Sequence, residues 1–321
     1  MTRRRQRLRR LSLDDDTPGL FDLLPDSGDA EPLSAPKPVD VDDTTLRFIS
    51  FGSGSSGNCA YIGTPACGLL IDGGVDNNYV MQQLALNGID PLTIRGILLT
   101  HDHYDHMRYV YAILRRNTHM RLFATPKMMK GLLMRHNTSK RIVDYHQPVY
   151  KEFTVDLGAL RFTPFETSHD GSDNVGYAVT AGDVNFCVTT DTGYVTPRAD
   201  FYMRTAHYLM LESDYDAEML RNGPYAGYLK ARILSDTGHL DNADTGRYLA
   251  YLAPLGLLRR VFLCHLSDIN NTPERALATI WGILEASGID VNRAAEPLPR
   301  DPRLHIAPLP RKQSSPLFFL R

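Results

Sequence analysis

A short segment of the chain concentrates histidine and aspartate side chains directly after an apolar run. The run is residues 96–100 (GILLT), and the metal-binding side chains that follow it are His101, His103, Asp105 and His106. Neutral imidazole and carboxylate are the usual protein ligands of zinc, manganese and iron. Alternate residues of an extended segment project to one side, so His101 and His103 face a common point. After a turn, Asp105 and His106 face a neighbouring point, which predicts two adjacent metal positions.

Three further candidate ligands each end a different apolar, strand-like run. His169 follows residues 160–168, Asp191 follows residues 184–190, and His265 follows residues 260–264. Each run delivers one ligand to what we expect to be the same edge of the sheets. An isolated histidine in a polar loop is usually a solvated side chain, but this combined arrangement favours a metal cage.

The chain order of these residues resembles the pattern of the metallo-β-lactamase superfamily, in which HxHxDH precedes a histidine, an aspartate and a final histidine. The resemblance covers about residues 46–290. It implies an α/β fold, a four-layer αββα sandwich with the metals at one edge of the two sheets. It also implies how the ligands divide: His101, His103 and His169 hold one metal, Asp105, His106 and His265 hold the other, and Asp191 bridges them.

The chemistry implied by such a cage is hydrolysis. Two divalent ions lower the pKa of a shared water, so that hydroxide exists near neutral pH. The ions are expected to be Zn²⁺ or Mn²⁺, with iron as an alternative, because ligands of this type accept all three. Asp105 or Asp191 can orient the hydroxide. Asp72 resembles the strand-end aspartate that supports the metal-binding turn in this family, and an ordinary turn residue is the alternative.

A second pair of residues bears on which bond is cleaved. Glu212 ends the apolar run 208–211, and His239 precedes a helical pattern. This arrangement resembles the phosphodiesterase and nuclease branch of the family. A histidine held by a carboxylate can stay protonated and donate a proton to the leaving oxygen. We predict that role for His239, with Glu212 as its orienting partner; a helix-capping histidine and an ordinary strand-end carboxylate are the alternatives.

The loop of residues 52–58 (GSGSSGN) offers backbone amides and small polar side chains that suit contact with phosphate oxygens. Its predicted substrate-binding residues are Ser53, Ser55, Ser56 and Asn58; a tight hairpin turn is the alternative. With Glu212, His239 and the segment 265–271, the loop resembles the YycJ/WalJ-like group of the superfamily. That group implies a metal-dependent nuclease, an exonuclease acting on DNA.

The residues of the sequence are also compatible with other functions. The main alternative is a small-molecule hydrolase with the same metals, either a cyclic phosphodiesterase or a glyoxalase II-like thioesterase. A binding or regulatory protein without turnover is a third possibility, against which the complete ligand set argues. Basic residues between 108 and 141 could follow a polynucleotide backbone, or they could be ordinary helix surface. The net charge of −2 does not distinguish these functions.

The elements that position these residues alternate between strand-like and helical patterns. Strands are predicted at 46–50, 68–71, 96–100, 160–165, 184–190, 208–211 and 261–263, and helices at 78–87, 105–117, 125–136, 241–252 and 272–287. This alternation indicates an α/β layered domain at residues 45–296.

The two ends of the chain differ in composition from this domain. Residues 1–44 combine an arginine cluster with acidic and proline-rich sequence, which predicts a disordered tail. Residues 297–321 predict a proline-rich tail, whose last apolar residues could dock on the domain or fray. The four cysteines form no CxxC pair, and no apolar stretch is long enough for a membrane helix. A cytoplasmic protein without a membrane partner is therefore expected.

Overall fold

Two β-sheets organise the fold in the computed structural model, which describes residues 45–294 and 301–321. The strands are β1 Leu46–Gly52, β2 Cys59–Gly63, β3 Gly68–Ile71, β4 Ile94–Leu98, β5 Arg121–Ala124, β6 His146–Pro148, β7 Val155–Asp156, β8 Arg161–Glu166, β9 Val175–Ala181, β10 Val184–Thr189, β11 Tyr208–Glu212, β12 Arg260–Cys264, β13 Val291–Asn292, β14 Leu304–Pro308 and β15 Phe318–Leu320. The first sheet has the order β15-β1-β2-β3-β4-β5-β6, and the second has the order β13-β14-β12-β11-β10-β9-β8-β7.

The α-helices lie in the connections between the strands. They are α1 Asn77–Leu86, α2 Tyr104–Met107, α3 Val110–Arg116, α4 Pro126–Arg135, α5 Pro197–Met203, α6 Ala217–Asn222, α7 Gly227–Ile233, α8 Asn242–Leu252 and α9 Pro273–Ala286. Several begin where the sequence places a threonine before a proline. Thr125, Thr196 and Thr272 each accept a hydrogen bond from a backbone amide of the helix they precede. This N-capping, with proline in the first turn, explains why α4, α5 and α9 begin there.

The sheets pack face to face through aromatic side chains. The Phe48 ring of β1 lies 4.9 Å from the Phe186 ring of β10 and 4.7 Å from the Phe262 ring of β12, centroid to centroid. A second cluster joins the other face of β10, β11 and β12 to α8 and α9. Buried residues of α1, α3 and α4 pack into the first cluster. The predicted αββα sandwich is confirmed.

The predicted helix at residues 105–117 is interrupted. The Tyr109 amide donates to the Gly73 carbonyl at 2.7 Å instead of continuing a helix, and α2 and α3 lie on either side of it. The interruption joins the HxHxDH segment to the turn after β3. The helical pattern in the sequence does not predict this hydrogen bond, because the acceptor lies 36 residues away in the chain.

The C-terminal region differs from the predicted tail. β14 lies between β12 and β13, and β15 pairs with the edge strand β1. Leu304, Ile306 and Leu320 are buried there, so the apolar residues complete both sheets and the docked alternative holds. We propose that the domain continues through residue 321. The predicted tail at residues 1–44 lies outside the described residues. Within the described ranges, none of the helices has the length and apolar character needed to cross a bilayer.

Arg311 fastens this C-terminal segment to the loop after β12, since it donates to the carbonyls of Leu266 at 2.9 Å, Ser267 at 2.6 Å and Asn271 at 2.8 Å. We expect Arg311→Ala to lower the free energy of unfolding by about 2–3 kcal/mol, because charged hydrogen bonds to partly buried carbonyls are lost. Urea unfolding measures this. Lys312→Ala removes only an exposed ion pair with Asp268 and should cost less than about 1 kcal/mol. Equal losses in the two variants would contradict the fastening role.

Candidate metal centre and active site

The HxHxDH segment leaves β4 and enters α2 at the edge of the first sheet. Backbone contacts hold its shape: the Asn58 amide donates to the Asp105 carbonyl at 2.8 Å, and the Gly73 amide donates to the His106 carbonyl at 2.7 Å. The neighbouring Gly74 lies so close that a Cβ atom there would stand 1.6 Å from the Asp105 carbonyl oxygen. Only glycine fits at this position.

The structure brings all seven sequence-predicted ligands together. Donor atoms of His101, His103 and His169 lie within 4.8 Å of one another, and so do those of Asp105, His106 and His265. Asp191 lies between the two groups, since one carboxylate oxygen faces three imidazole Nε2 atoms, at 3.8 Å for His101, 3.7 Å for His169 and 3.4 Å for His265. Its other oxygen lies 3.4 Å from His106 Nε2. Two of the four donor groups thus correspond to the division that the family pattern implies. The other two cut across it: one joins Asp191 to His101 and His106, and the other joins Asp191 to Glu212, His239 and His265.

Three residues of the site have strained backbones. Asp72, Asp191 and His265 lie just after β3, β10 and β12, with φ angles of 59°, 48° and 54°. A non-glycine residue in this left-handed region costs about 1–3 kcal/mol. Such residues persist where the surrounding structure determines them, and they concentrate at functional sites. This conformation directs Asp191 and His265 into the cage, and it directs Asp72 toward His106 Nδ1 behind the cage.

Four of the five imidazoles of the cage have a polar partner at the other ring nitrogen, whereas His265 Nδ1 lies near Asp214 without a hydrogen bond. His101 Nδ1 lies 3.1 Å from Thr100 Oγ1, His103 Nε2 lies 3.2 Å from Asp170, His106 Nδ1 donates to Asp72 at 2.7 Å, His169 Nδ1 donates to the Gly238 carbonyl at 3.0 Å, and His265 Nδ1 faces Asp214 at 3.4 Å. Partners of this kind set the tautomer and the orientation of metal-binding histidines.

The residues present fit divalent cations. His101 Nε2 is buried, points into the donor group and has no hydrogen-bond partner. Burial lowers the pKa of His101, and it lowers the pKa of His103 to about 4, so these imidazoles are neutral, as metal binding requires. Burial also acts to lower the pKa of His106, but the Asp191, Asp72 and Asp105 carboxylates raise it well above its usual range. The cage thus attracts positive charge and offers nitrogen and oxygen ligands for it.

Asp170 is a functional candidate that the sequence analysis missed, although it directly follows His169. We expect Asp170→Asn to weaken metal affinity about 10–100-fold, because His103 loses the carboxylate that orients it. Asp72→Asn should have a similar effect through His106. Titration against a competing chelator measures both. Asp183→Asn, on an exposed turn between β9 and β10, is the matched control. Unchanged affinity in Asp170→Asn would show that its carboxylate only anchors Arg232.

The buried Glu212 and the partly exposed His239 form a pair beside the cage. His239 Nδ1 donates to Glu212 Oε1 at 2.7 Å, while Glu212 Oε2 accepts from the backbone amides of Thr192 at 2.7 Å and Leu240 at 3.3 Å. Burial disfavours the charged form of His239, but the Glu212 and Asp214 carboxylates raise its pKa to about 9. A cation bound at Asp191 would oppose that rise. With Nδ1 engaged, Nε2 is the nitrogen left for a substrate.

Two of the four predicted substrate-binding residues in the loop 52–58 are buried instead of facing the cleft. Ser53 is fully buried, and its hydroxyl accepts from the His265 amide at 2.9 Å. Asn58 is also buried, and its Nδ2 donates to Asp105 at 3.1 Å and lies 2.9 Å from His106 Nε2. Because these two side chains hold the cage and are shielded from solvent, they are not substrate contacts. Ser55 and Ser56 are exposed, and Ser55 lines the cleft at the cage.

That cleft has a volume of about 210 Å³. Its walls combine three parts of the site: the side chains of the cage, His239, and residues of α7. Asp105, Asp191 and His265 reach it from the cage, and Tyr225 and Arg232 reach it from the region of α7. A substrate group in this cleft would therefore lie beside both the metal ligands and His239.

A family model described as a beta-lactamase superfamily domain matches residues 68–266, more than half of the chain. The exodeoxyribonuclease YycJ of Bacillus anthracis is 32% identical over 265 residues, which cover 81% of this chain and 97% of the relative. The chain belongs to the metallo-β-lactamase superfamily, in its YycJ/WalJ group. The exodeoxyribonuclease WalJ of Streptococcus pneumoniae is 34% identical over 249 residues, which cover 77% of this chain and 91% of the relative.

A solved structure shows the same fold at low sequence identity. The metallo-β-lactamase fold protein YhfI from Bacillus subtilis superposes with a TM-score of 0.60 and 12% identity, over 86% of this chain and 99% of YhfI. This likeness concerns the fold. The seven side chains of this chain meet at one edge of the two sheets. The family pattern implies metals at that same edge.

Proposed function

We propose that this chain is a metal-dependent phosphodiester hydrolase, a nuclease that removes nucleotides from the ends of DNA. The observation that carries the proposal is the Glu212–His239 pair, whose histidine lines the cleft beside the complete ligand set, because proton donation to a leaving oxygen is useful in phosphodiester cleavage. The relatives named exodeoxyribonuclease YycJ and WalJ support the DNA substrate. The buried free cysteines support a location in the reducing cytoplasm.

The proposed metal ligands are two groups joined by a bridge. His101, His103 and His169 would hold one ion, Asp105, His106 and His265 the second, and Asp191 both. Zn²⁺ and Mn²⁺ both suit these nitrogen and oxygen ligands, and iron is also compatible. When bound, the ions would supply an activated water at neutral pH and neutralise charge on the attacked phosphate.

The residues of the chain itself would orient the reaction. Asp105 and Asp191 line the cleft, and their carboxylates can accept a hydrogen bond from the attacking water. His239, kept protonated by Glu212, can donate from Nε2 to the oxygen that leaves. The ring of His239 stacks on the ring of His265 at a centroid distance of 5.2 Å, which fixes its position relative to the cage.

A small-molecule phosphodiesterase is the second candidate, because the small volume of the cleft does not require a polymeric substrate. A cleft of about 210 Å³ suits a compact ligand, either a small phosphodiester or the last nucleotide of a chain. The Glu212–His239 pair supports either phosphodiester more than it supports a thioester, whose cleavage has no evident need for it.

The deciding experiment is a degradation assay with metal-quantified protein. End-labelled single- and double-stranded DNA and RNA are incubated with Mn²⁺ or Zn²⁺, and Asp105→Ala controls for contaminating nucleases. We expect stepwise loss of DNA that disappears in the variant, and the label reports the polarity. If the protein binds two ions but leaves every polynucleotide intact, the small-molecule hydrolase becomes the better account.

A further inference from the structure

One permanent cation lines the cleft among the residues that the structure describes there. It is Arg232, near the end of α7, in a cleft that also contains the carboxylates of Asp105, Asp191 and Asp214. The Asp105 and Asp191 carboxylates lie near enough to interact electrostatically with the guanidinium group. A phosphodiester brings further negative charge into this acidic cleft. A fixed cation in its wall therefore bears directly on how the phosphate is held.

Arg232 is oriented before any substrate binds. Its Nε and Nη2 atoms donate to the two oxygens of Asp170, at 2.5 Å and 2.9 Å. This fork fixes the plane of the guanidinium group, and Nη1 donates to none of the residues in the described ranges. The side chain remains 45% exposed. Two features required of a phosphate-binding arginine, a fixed plane and free N–H groups at the cleft, are thus present.

The position of the fork distinguishes it from an ordinary surface ion pair. The same Asp170 carboxylate lies 3.2 Å from His103 Nε2, so the guanidinium group is one carboxylate away from a proposed metal ligand. Arg198 and Glu152 form a comparable exposed fork on α5, where Nε donates to Oε1 at 3.0 Å. Arg198 does not line the cleft. The chain therefore contains a matched pair of forks, one inside the cleft and one outside it.

We propose that Arg232 is a substrate-binding residue that holds a phosphate group of the DNA strand in the cleft, an inference that rests on the proposed nuclease function. Tyr225 and Leu229 belong to the same wall and provide an apolar surface for the adjoining sugar or base. Since α7 carries Arg232 and Leu229 together, this helix is the part of the fold that selects a nucleotide end over an uncharged ester.

The test uses the full-length, metal-loaded protein and a fluorescent single-stranded oligonucleotide with phosphorothioate linkages, which resists degradation. Anisotropy titrations over a series of KCl concentrations give the affinity and its salt dependence. We expect Arg232→Ala to bind about 10-fold more weakly, the effect of one charge-assisted hydrogen bond. We also expect the slope of log K against log salt to fall by about 0.7, the value for one lost phosphate contact on a single strand. Metal content should stay unchanged.

Two further variants separate phosphate binding from a structural role. Arg232→Lys keeps the charge and should regain the salt slope, whereas Arg198→Ala loses an equivalent fork and should bind like the unmodified protein. Weaker binding of Arg232→Ala with an unchanged slope would mean that Arg232 only braces α7, and lost metal would mean that it acts through Asp170 on His103. Either result would overturn the phosphate-binding role. If DNA is degraded normally by Arg232→Ala, this inference alone fails. If the unmodified protein neither binds nor degrades any polynucleotide, the proposed function fails with it.

Discussion

Asp191→Ala is expected to release both of the proposed metal ions and to reduce hydrolysis to the level of a protein-free blank. The Asp191 carboxylate faces four imidazoles, those of His101, His106, His169 and His265. It is buried, and the neighbouring histidines hold its pKa well below the usual range despite the opposing effect of burial. Without it, neither proposed metal position keeps its full ligand set or its bridging negative charge.

The expected loss exceeds that of any change outside the proposed ligand set. Outer partners such as Asp170 alter metal affinity about 10–100-fold, whereas Asp191 is shared by both positions. Mass spectrometry of the dialysed protein gives the number of ions per chain, and the DNA assay gives the activity. Asp200→Asn is a suitable control, because Asp200 lies on α5 and accepts from the Tyr248 hydroxyl at 3.0 Å. Two tightly held ions in Asp191→Ala would refute the bridging role.

His239→Ala is expected to keep both ions and to lower kcat on DNA by about 10²–10⁴-fold, the usual contribution of a general acid. His239 lies beside the cage and is held by Glu212 at 2.7 Å, so its loss removes the proton donor and leaves the seven proposed ligands in place. KM should change less than kcat. His119→Ala, at an exposed histidine that contacts the Pro91 carbonyl, should behave like the unmodified protein.

The leaving group provides a sharper test of the same role. A nitrophenyl ester of a nucleotide releases a stable anion, which needs little help from a proton donor. The defect of His239→Ala should therefore shrink strongly on this ester and remain large on DNA. An equal defect on both substrates would indicate that His239 supports the structure of the site. Full activity on DNA would exclude the proton-donating role altogether.

The family, the sandwich fold and the meeting of the seven side chains could all be predicted from the order of the residues alone. The spacing of His101, His103, Asp105 and His106 is local, and each remaining candidate directly follows an apolar run that forms a strand. A strand delivers the residue at its end to the edge of its sheet. The chemistry of these residues and their place along the chain therefore predicted where they meet.

Features that depend on partners far away in the chain could not be predicted in this way and became visible in the folded protein. β15 pairs with β1 from the opposite end of the described chain, and apolar patterning in a proline-rich segment does not report that pairing. Ser53 and Asn58 have the composition of a phosphate-binding loop, but burial against His265 and Asp105 assigns them to the cage. Arg232 lies in the wall of the cleft, where it donates to Asp170, a residue 62 positions earlier in the chain. Spacing and periodicity report local order, whereas burial and pairing between distant segments arise only when the whole chain has folded.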